Sequence, residues 1–219
     1  DFLKLGEGLP RQSEVEQLYA QANNDDLCNI LYTSGTTGES KGVMLTYGQY
    51  EAALKANDEV VPLKESDRVI QFLPITHIFE RGWSYLAFSE GCHIIINTNP
   101  HDIQQSMRET HPTCMSSVPR FWEKVYQAVL DKIDRSSVAK QRLFRHALEV
   151  GRRYNIDCKS RCKRPSPLLA MEYKFFDKMI LRLVRKQIGL ENAHLFPTAG
   201  ATVSPAVERF VQSVGINMI

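Results

Sequence analysis

Tyr32-Thr33-Ser34-Gly35-Thr36-Thr37-Gly38-Glu39-Ser40-Lys41-Gly42 gathers hydrogen-bond donors more densely than any other stretch of this chain. Its glycines let the backbone turn N–H groups toward one centre. Thr33, Ser34, Thr36, Thr37 and Ser40 add hydroxyls, and Lys41 adds a mobile positive charge. A loop of this composition suits polyphosphate; a flexible hydrophilic connection is the plainer alternative. The apolar residues 28–32 read as a short strand, so the loop leaves a sheet edge, where open α/β proteins place nucleotides. The common P-loop is excluded. That pattern ends in Gly-Lys-Ser/Thr, whereas here Lys41 is followed by Gly42 and only two residues separate Gly35 from Gly38.

Outward from this loop, short apolar runs alternate with helical patterns. Strands are expected at residues 29–33, 68–73, 93–96, 113–117, 194–196 and 216–219, and helices at about 47–57, 78–89, 103–109, 120–150, 168–188 and 204–213. The alternation predicts an α/β fold, a largely parallel sheet with flanking helices. Residues 1–27 read as a polar, irregular connecting arm, residues 28–219 as the α/β domain, and about 120–190 as a helical section with a basic loop. That loop, residues 151–167, sets six Arg and Lys against Asp157 and closes with Pro165 and Pro167. A solvated surface is one reading of it, and contact with phospholipid headgroups or coenzyme A phosphates is the other. In the helix after it, Leu169, Phe176, Ile180, Leu183 and Val184 share one side, with Lys174, Lys178, Arg182 and Arg185 on the other. This pattern fits a helix docked on its own core or one lying on a membrane.

The 219 residues suffice for one domain with a substantial core. A net charge of +2 makes no general case for nucleic acid. Five cysteines at irregular spacing predict free thiols and a cytoplasmic setting; Cys158 and Cys162 lack the second ligand pair of a zinc site. No apolar run approaches the ~20 residues that span a bilayer.

Thr33-Ser34-Gly35-Thr36-Thr37-Gly38 followed by Lys41-Gly42 resembles the phosphate-loop signature of the adenylate-forming superfamily. Leu73-Pro74-Ile75-Thr76-His77-Ile78-Phe79-Glu80-Arg81 resembles the next signature in its long-chain fatty acyl-CoA synthetase form, as does Pro112-Thr113-Cys114 through Lys124. Phe196-Pro197-Thr198-Ala199-Gly200-Ala201-Thr202-Val203-Ser204-Pro205 is similar to the Ser-Gly-Gly-Ala-Pro-Leu-Ser segment along the adenine and acyl sites, with Ala199 in place of a glycine and Thr202 in place of a proline.

The resemblance implies part of a large N-terminal domain whose parent enzyme joins a long-chain fatty acid to ATP as acyl-adenylate, then transfers the acyl group to coenzyme A. It implies ATP contacts from Thr33, Ser34, Gly35, Thr36, Thr37, Gly38 and Lys41, with Thr36 as a Mg2+ ligand. It gives catalytic roles to Lys41 and His77, and an adenine/acyl segment to Ala199, Gly200 and Ala201. His77 follows a strand at the carboxyl end of the sheet, where an imidazole N–H can orient a carboxylate; a structural histidine is the alternative. Phe79, Trp83, Tyr85 and Leu86 are candidates for an acyl tunnel wall or for ordinary core. Glu80 and Arg81 are expected to pair with neighbours or each other. The chain starts at Asp1 and ends on a strand-like segment, so a central piece lacking the C-terminal lid domain and inactive alone is expected. Competing readings are an acyl-AMP ligase or another adenylate-forming enzyme, and a noncatalytic nucleotide- or membrane-binding module.

Overall fold

Residues 2–8, 11–34 and 38–219 are described by a computed structural model, in which the chain divides into two units, Asp1–Val61 and Pro62–Ile219.

In the first unit, α1 (Gln12–Gln21) occupies the region expected to be irregular. Gln, Glu, Leu and Ala are good helix formers, and Val15, Leu18 and Tyr19 fall on one side at helical spacing. Next come β1 (Leu27–Ser34) and β2 (Ser40–Thr46), an antiparallel pair. The donor-rich loop is therefore the turn of a hairpin, not the exit from a parallel sheet edge. β2 was hidden by its polar start and by Gly42, and it is stabilised by its pairing with β1. A capping box between Thr46 and Gln49 starts α2 (Tyr47–Asp58), and the Tyr50 hydroxyl meets the Asn29 side chain to tie α2 to β1.

In the second unit, β3 (Arg68–Gln71) and β4 (His93–Ile96) pair in parallel, with α3 (Ile78–Ser89) crossing between them. Parallel bridges Val69–Cys114, Cys114–Leu195, Ser117–Thr198 and Phe196–Met218 extend this array through the segments at 113–117, 194–198 and 216–219. The expected parallel order is present. Regular pairing is interrupted where Pro112, Pro119 and Pro197 bring no N–H. The helices are α4 (Ile103–Thr110), α5 (Pro119–Asp134), α6 (Val138–Gly151), α7 (Pro167–Phe176), α8 (Arg182–Ile188) and α9 (Pro205–Ser213). The pattern at 120–150 thus breaks at Ser136-Ser137, residues that favour helix ends over interiors. The core joins Ile70, Met115 and Phe196 of the parallel array to Trp122, Phe144, Leu181 and Phe210 of the helices.

The basic stretch is more ordered than its composition implies. α6 continues as a π-helical turn at Arg152–Cys158 and a short 3-10 turn at Lys159–Arg161. Arg152 bridges Glu149 and Asp157, Tyr154 stacks on Tyr173 at 4.0 Å, and Asn155 is buried near the Tyr173 hydroxyl. These contacts hold residues 152–158 in register with α7, so the irregular loop shrinks to residues 162–166. A second π-helical turn, Asp177–Leu181, joins α7 to α8. Among the described residues no helix is long and apolar enough to cross a membrane.

Candidate active site

On the hairpin, Thr33 faces Lys41 across the strands and Ser34 faces Ser40. Cross-strand partners share a face, so the Thr33 hydroxyl and the Lys41 ammonium leave the same side of the ribbon. Both residues are exposed, and Lys41 makes no ion pair among the described residues. Gly38 takes φ 87°, a left-handed conformation that suits glycine. At Gly42 a Cβ would lie 2.9 Å from Ile30 Cγ2 and 3.3 Å from the Tyr32 ring, so the lysine is followed by a residue small enough for that ring to cover. Gly35, Thr36 and Thr37 lie outside the described residues, and with them the expected magnesium ligand. The donor set that remains, an ammonium and hydroxyls beside a turning backbone, fits an anion of several charges.

In the second unit, His77 caps the start of α3 just beyond β3, its backbone N–H bonded to Pro74 O at 3.0 Å. The imidazole makes no capping bond, and the residue is exposed at the carboxyl end of the strands. Ala199, Gly200 and Ala201 leave the carboxyl end of the 194–198 segment. Ala199 N–H donates to Ser117 O at 3.2 Å, and Gly200 takes φ 97°. The His77 turn and the 199–201 turn thus emerge from the same edge of one parallel array.

Two supports of that edge were not legible as such. Glu80, 1% exposed, accepts the Phe72 N–H at 3.1 Å and the Ser116 hydroxyl. Burial pushes its carboxyl above the ordinary glutamate range, with the bonds from Ser116, Phe72 and Leu73 acting in the opposite direction. Arg81 instead donates to Ile75 O at 3.1 Å, so Glu80 and Arg81 do not pair with each other but clasp the two sides of the His77 turn. The second support is a knot in which Trp122 Nε1 donates to Ser117 Oγ at 2.8 Å and Ser117 meets Thr198 Oγ1 at 2.8 Å. The only sequence signal was an acidic residue in the first turn of α3. Trp83 and Leu86 are buried, while Phe79 and Tyr85 are half-buried.

At the opposite, amino end of the strands, Asp67, Cys114 and His194 bring ligand atoms within 4.8 Å of one another. Hydrogen bonding accounts for the arrangement: Asp67 accepts from Thr113 at 2.6 Å and the Lys64 N–H at 2.9 Å, and meets His194 Nε2 at 2.8 Å. Burial pushes the Cys114 thiol up to about 12, which opposes the thiolate a metal would require. The five cysteines are free.

The AMP-binding enzyme family matches the chain over residues 3–219. The chain belongs to this family. Curated relatives include the Xenopus laevis long-chain-fatty-acid–CoA ligase ACSBG2, 28% identical over 99% of this chain and 30% of that protein. The Mycobacterium tuberculosis long-chain-fatty-acid–CoA ligase FadD15 is 27% identical over 94% of this chain and 34% of that protein. The chain therefore spans about a third of the length of these ligases. Among solved structures, the adenylation domain of a carboxylate reductase from Mycobacterium chelonae aligns with TM-score 0.62 at 20% identity, covering 90% of this chain and 26% of that one. A carboxylic acid reductase didomain from Segniliparus rugosus, solved in complex with AMP, aligns with TM-score 0.61 at 19% identity over 90% of this chain and 24% of its own. These two likenesses establish the fold: an α/β segment of an adenylate-forming enzyme.

Proposed function

We propose that the protein carrying this chain activates a long-chain fatty acid with ATP, releasing pyrophosphate, and passes the acyl group from the adenylate to coenzyme A. The observation that carries the reading is the hairpin, which sets Thr33 and Lys41 on one face beside the turning Gly38 in a chain matched end to end by long-chain ligases. Attack of a carboxylate on the α-phosphorus brings two anions together, so positioning and charge neutralisation dominate the barrier.

In this reading Thr33, Ser34, Gly38 and Lys41, with Gly35, Thr36 and Thr37 of the same loop, hold the β- and γ-phosphates. Each charge-assisted bond there contributes about 1.5–3 kcal/mol. Thr36 would hold Mg2+, which when bound neutralises phosphate charge. The exposed imidazole of His77 donates to and aims the fatty carboxylate. Ala199, Gly200 and Ala201 border the adenine and acyl groups, the positive φ of Gly200 letting backbone approach them closely. Residues 1–27 act as a connecting arm to the rest of the domain, and the free thiols support a cytoplasmic setting. The test is fatty-acid-dependent ATP–pyrophosphate exchange by the full-length protein, followed by thioester formation. Exchange without acyl-CoA would identify an acyl-AMP ligase, and absence of exchange would identify a noncatalytic module.

A further inference from the structure

Residues 138–188 hold fourteen Lys and Arg against four Asp and Glu, a local net charge of +10 in a chain whose total is +2. All four acids are already engaged. Glu149 and Asp157 pair with Arg152, Glu172 with Arg153 and His146, and Asp177 with Arg185. Lys174, Lys178, Arg182 and Lys186 recur every four residues, exposed and without an ion pair among the described residues. Beside this ridge runs a second one of Leu168, Met171, Phe175, Met179 and Leu183, each exposed by 53% or more. The core does not need these side chains, because Leu169, Phe176, Ile180, Leu181 and Val184 already supply the inward face of the same helix. Leu183 thus belongs to the outer face, contrary to the sequence expectation, and Arg185 turns inward to Asp177. The apolar ridge runs into a cleft of about 600 Å3 that Met179, Leu183 and Leu143 line together with Arg108, Lys132 and Lys140.

We propose that this face docks on an anionic phospholipid surface, the apolar ridge entering the headgroup boundary while the basic ridge meets lipid phosphates. Adjacent apolar and cationic ridges along one helix are the arrangement that lies in a membrane interface, where apolar burial and attraction to anionic lipid act together. Charge complementarity selects this occupant over a second copy of the chain, which would bring another +10 face against the first. The inference does not depend on the ligase reading.

The test is co-sedimentation of the full-length protein with vesicles of phosphatidylcholine alone and of phosphatidylcholine with phosphatidylserine. Binding is expected only with phosphatidylserine and is expected to weaken with salt. Removing one cationic charge near the surface weakens partitioning about five-fold, so Lys174→Gln with Lys178→Gln lowers it about 30-fold. Phe175→Ser with Met179→Ser also releases the protein, and neither pair changes its melting temperature. Equal binding to both vesicle types, no binding, or wild-type binding by both variants would overturn the proposal. So would a large loss of stability in the serine variant, which would mean another part of the protein covers the ridge, or a stable dimer that this variant dissociates.

Discussion

Replacing Glu80 by Ala removes the acceptor of a backbone N–H and of a hydroxyl at once. The Phe72 N–H and the Ser116 hydroxyl, the latter on a residue with no exposed surface, would be left unpaired beside the space the side chain filled. Each buried unsatisfied group costs about 1–3 kcal/mol, and the void adds to that, so the expected loss is about 3–5 kcal/mol. For a domain of this size that corresponds to a fall in melting temperature of roughly 10 °C. Glu80→Gln separates shape from charge. Its carbonyl still accepts from Phe72 and its amide can donate to Ser116 Oγ, so the expected loss is below about 1 kcal/mol. The charge leaves its own signature in pH. A carboxyl held above its ordinary range binds its proton more tightly folded than unfolded, so its contribution is fully present below the unfolded value and is lost as pH rises through the folded value. Urea unfolding of wild type and both variants at about pH 5 and about pH 8 should therefore show the glutamine variant gaining on wild type as pH rises. An alanine variant within about 0.5 kcal/mol of wild type, or a glutamine variant as unstable as alanine, would refute the clasp.

Lys41→Ala and Thr36→Val in the full-length protein should each lower fatty-acid-dependent pyrophosphate exchange about ten-fold or more with little change in melting temperature, since each removes about one phosphate contact; wild-type exchange would remove both from the phosphate site. His77→Ala should reduce adenylation more than ATP affinity, checked by calorimetry beside the exchange rate; unchanged turnover with lowered stability would make it a structural histidine. Gly189→Ala should destabilise by about 2 kcal/mol or more, because φ is 89° and a Cβ would lie 2.5 Å from the Met107 carbonyl; a denaturant titration measures it. Cys114, with its thiol pushed up to about 12 by burial, should resist aromatic disulfide reagents in the native protein and react on unfolding, as read by peptide mapping.

Much of the second unit was legible because its signals are local. The helix at 78–89 and the strand at 93–96 were expected with the bounds observed, each set by unbroken periodicity between turn residues. What escaped was fixed by partners distant in sequence. β2 takes its extended form from β1, and the Glu80 clasp joins residues eight and thirty-six positions away. The order of residues 152–158 depends on Tyr173 and Ser213, far down the chain. At the site, the identity of the loop and of His77 could be read from residue types, whereas the knot of Ser117, Trp122 and Thr198 needed the two strand ends side by side.

The wide turn at Asp177–Leu181 acts as a phase adjuster between α7 and α8. A π turn holds more residues per turn than the α-helical 3.6, so side chains spaced by four stay nearly in line through it instead of drifting around the axis. That keeps Phe175, Met179 and Leu183 in file outside while Phe176, Ile180 and Val184 stay in file within. Deleting a single residue there would tighten the turn and rotate everything beyond it by about 100°. Arg185 would then swing away from Asp177 and the Val214 carbonyl, and Ile188 out of the core. Length is thus a more stringent constraint on this segment than side-chain identity, and a family member shortened here by one residue would have to rebuild both faces of the helix together.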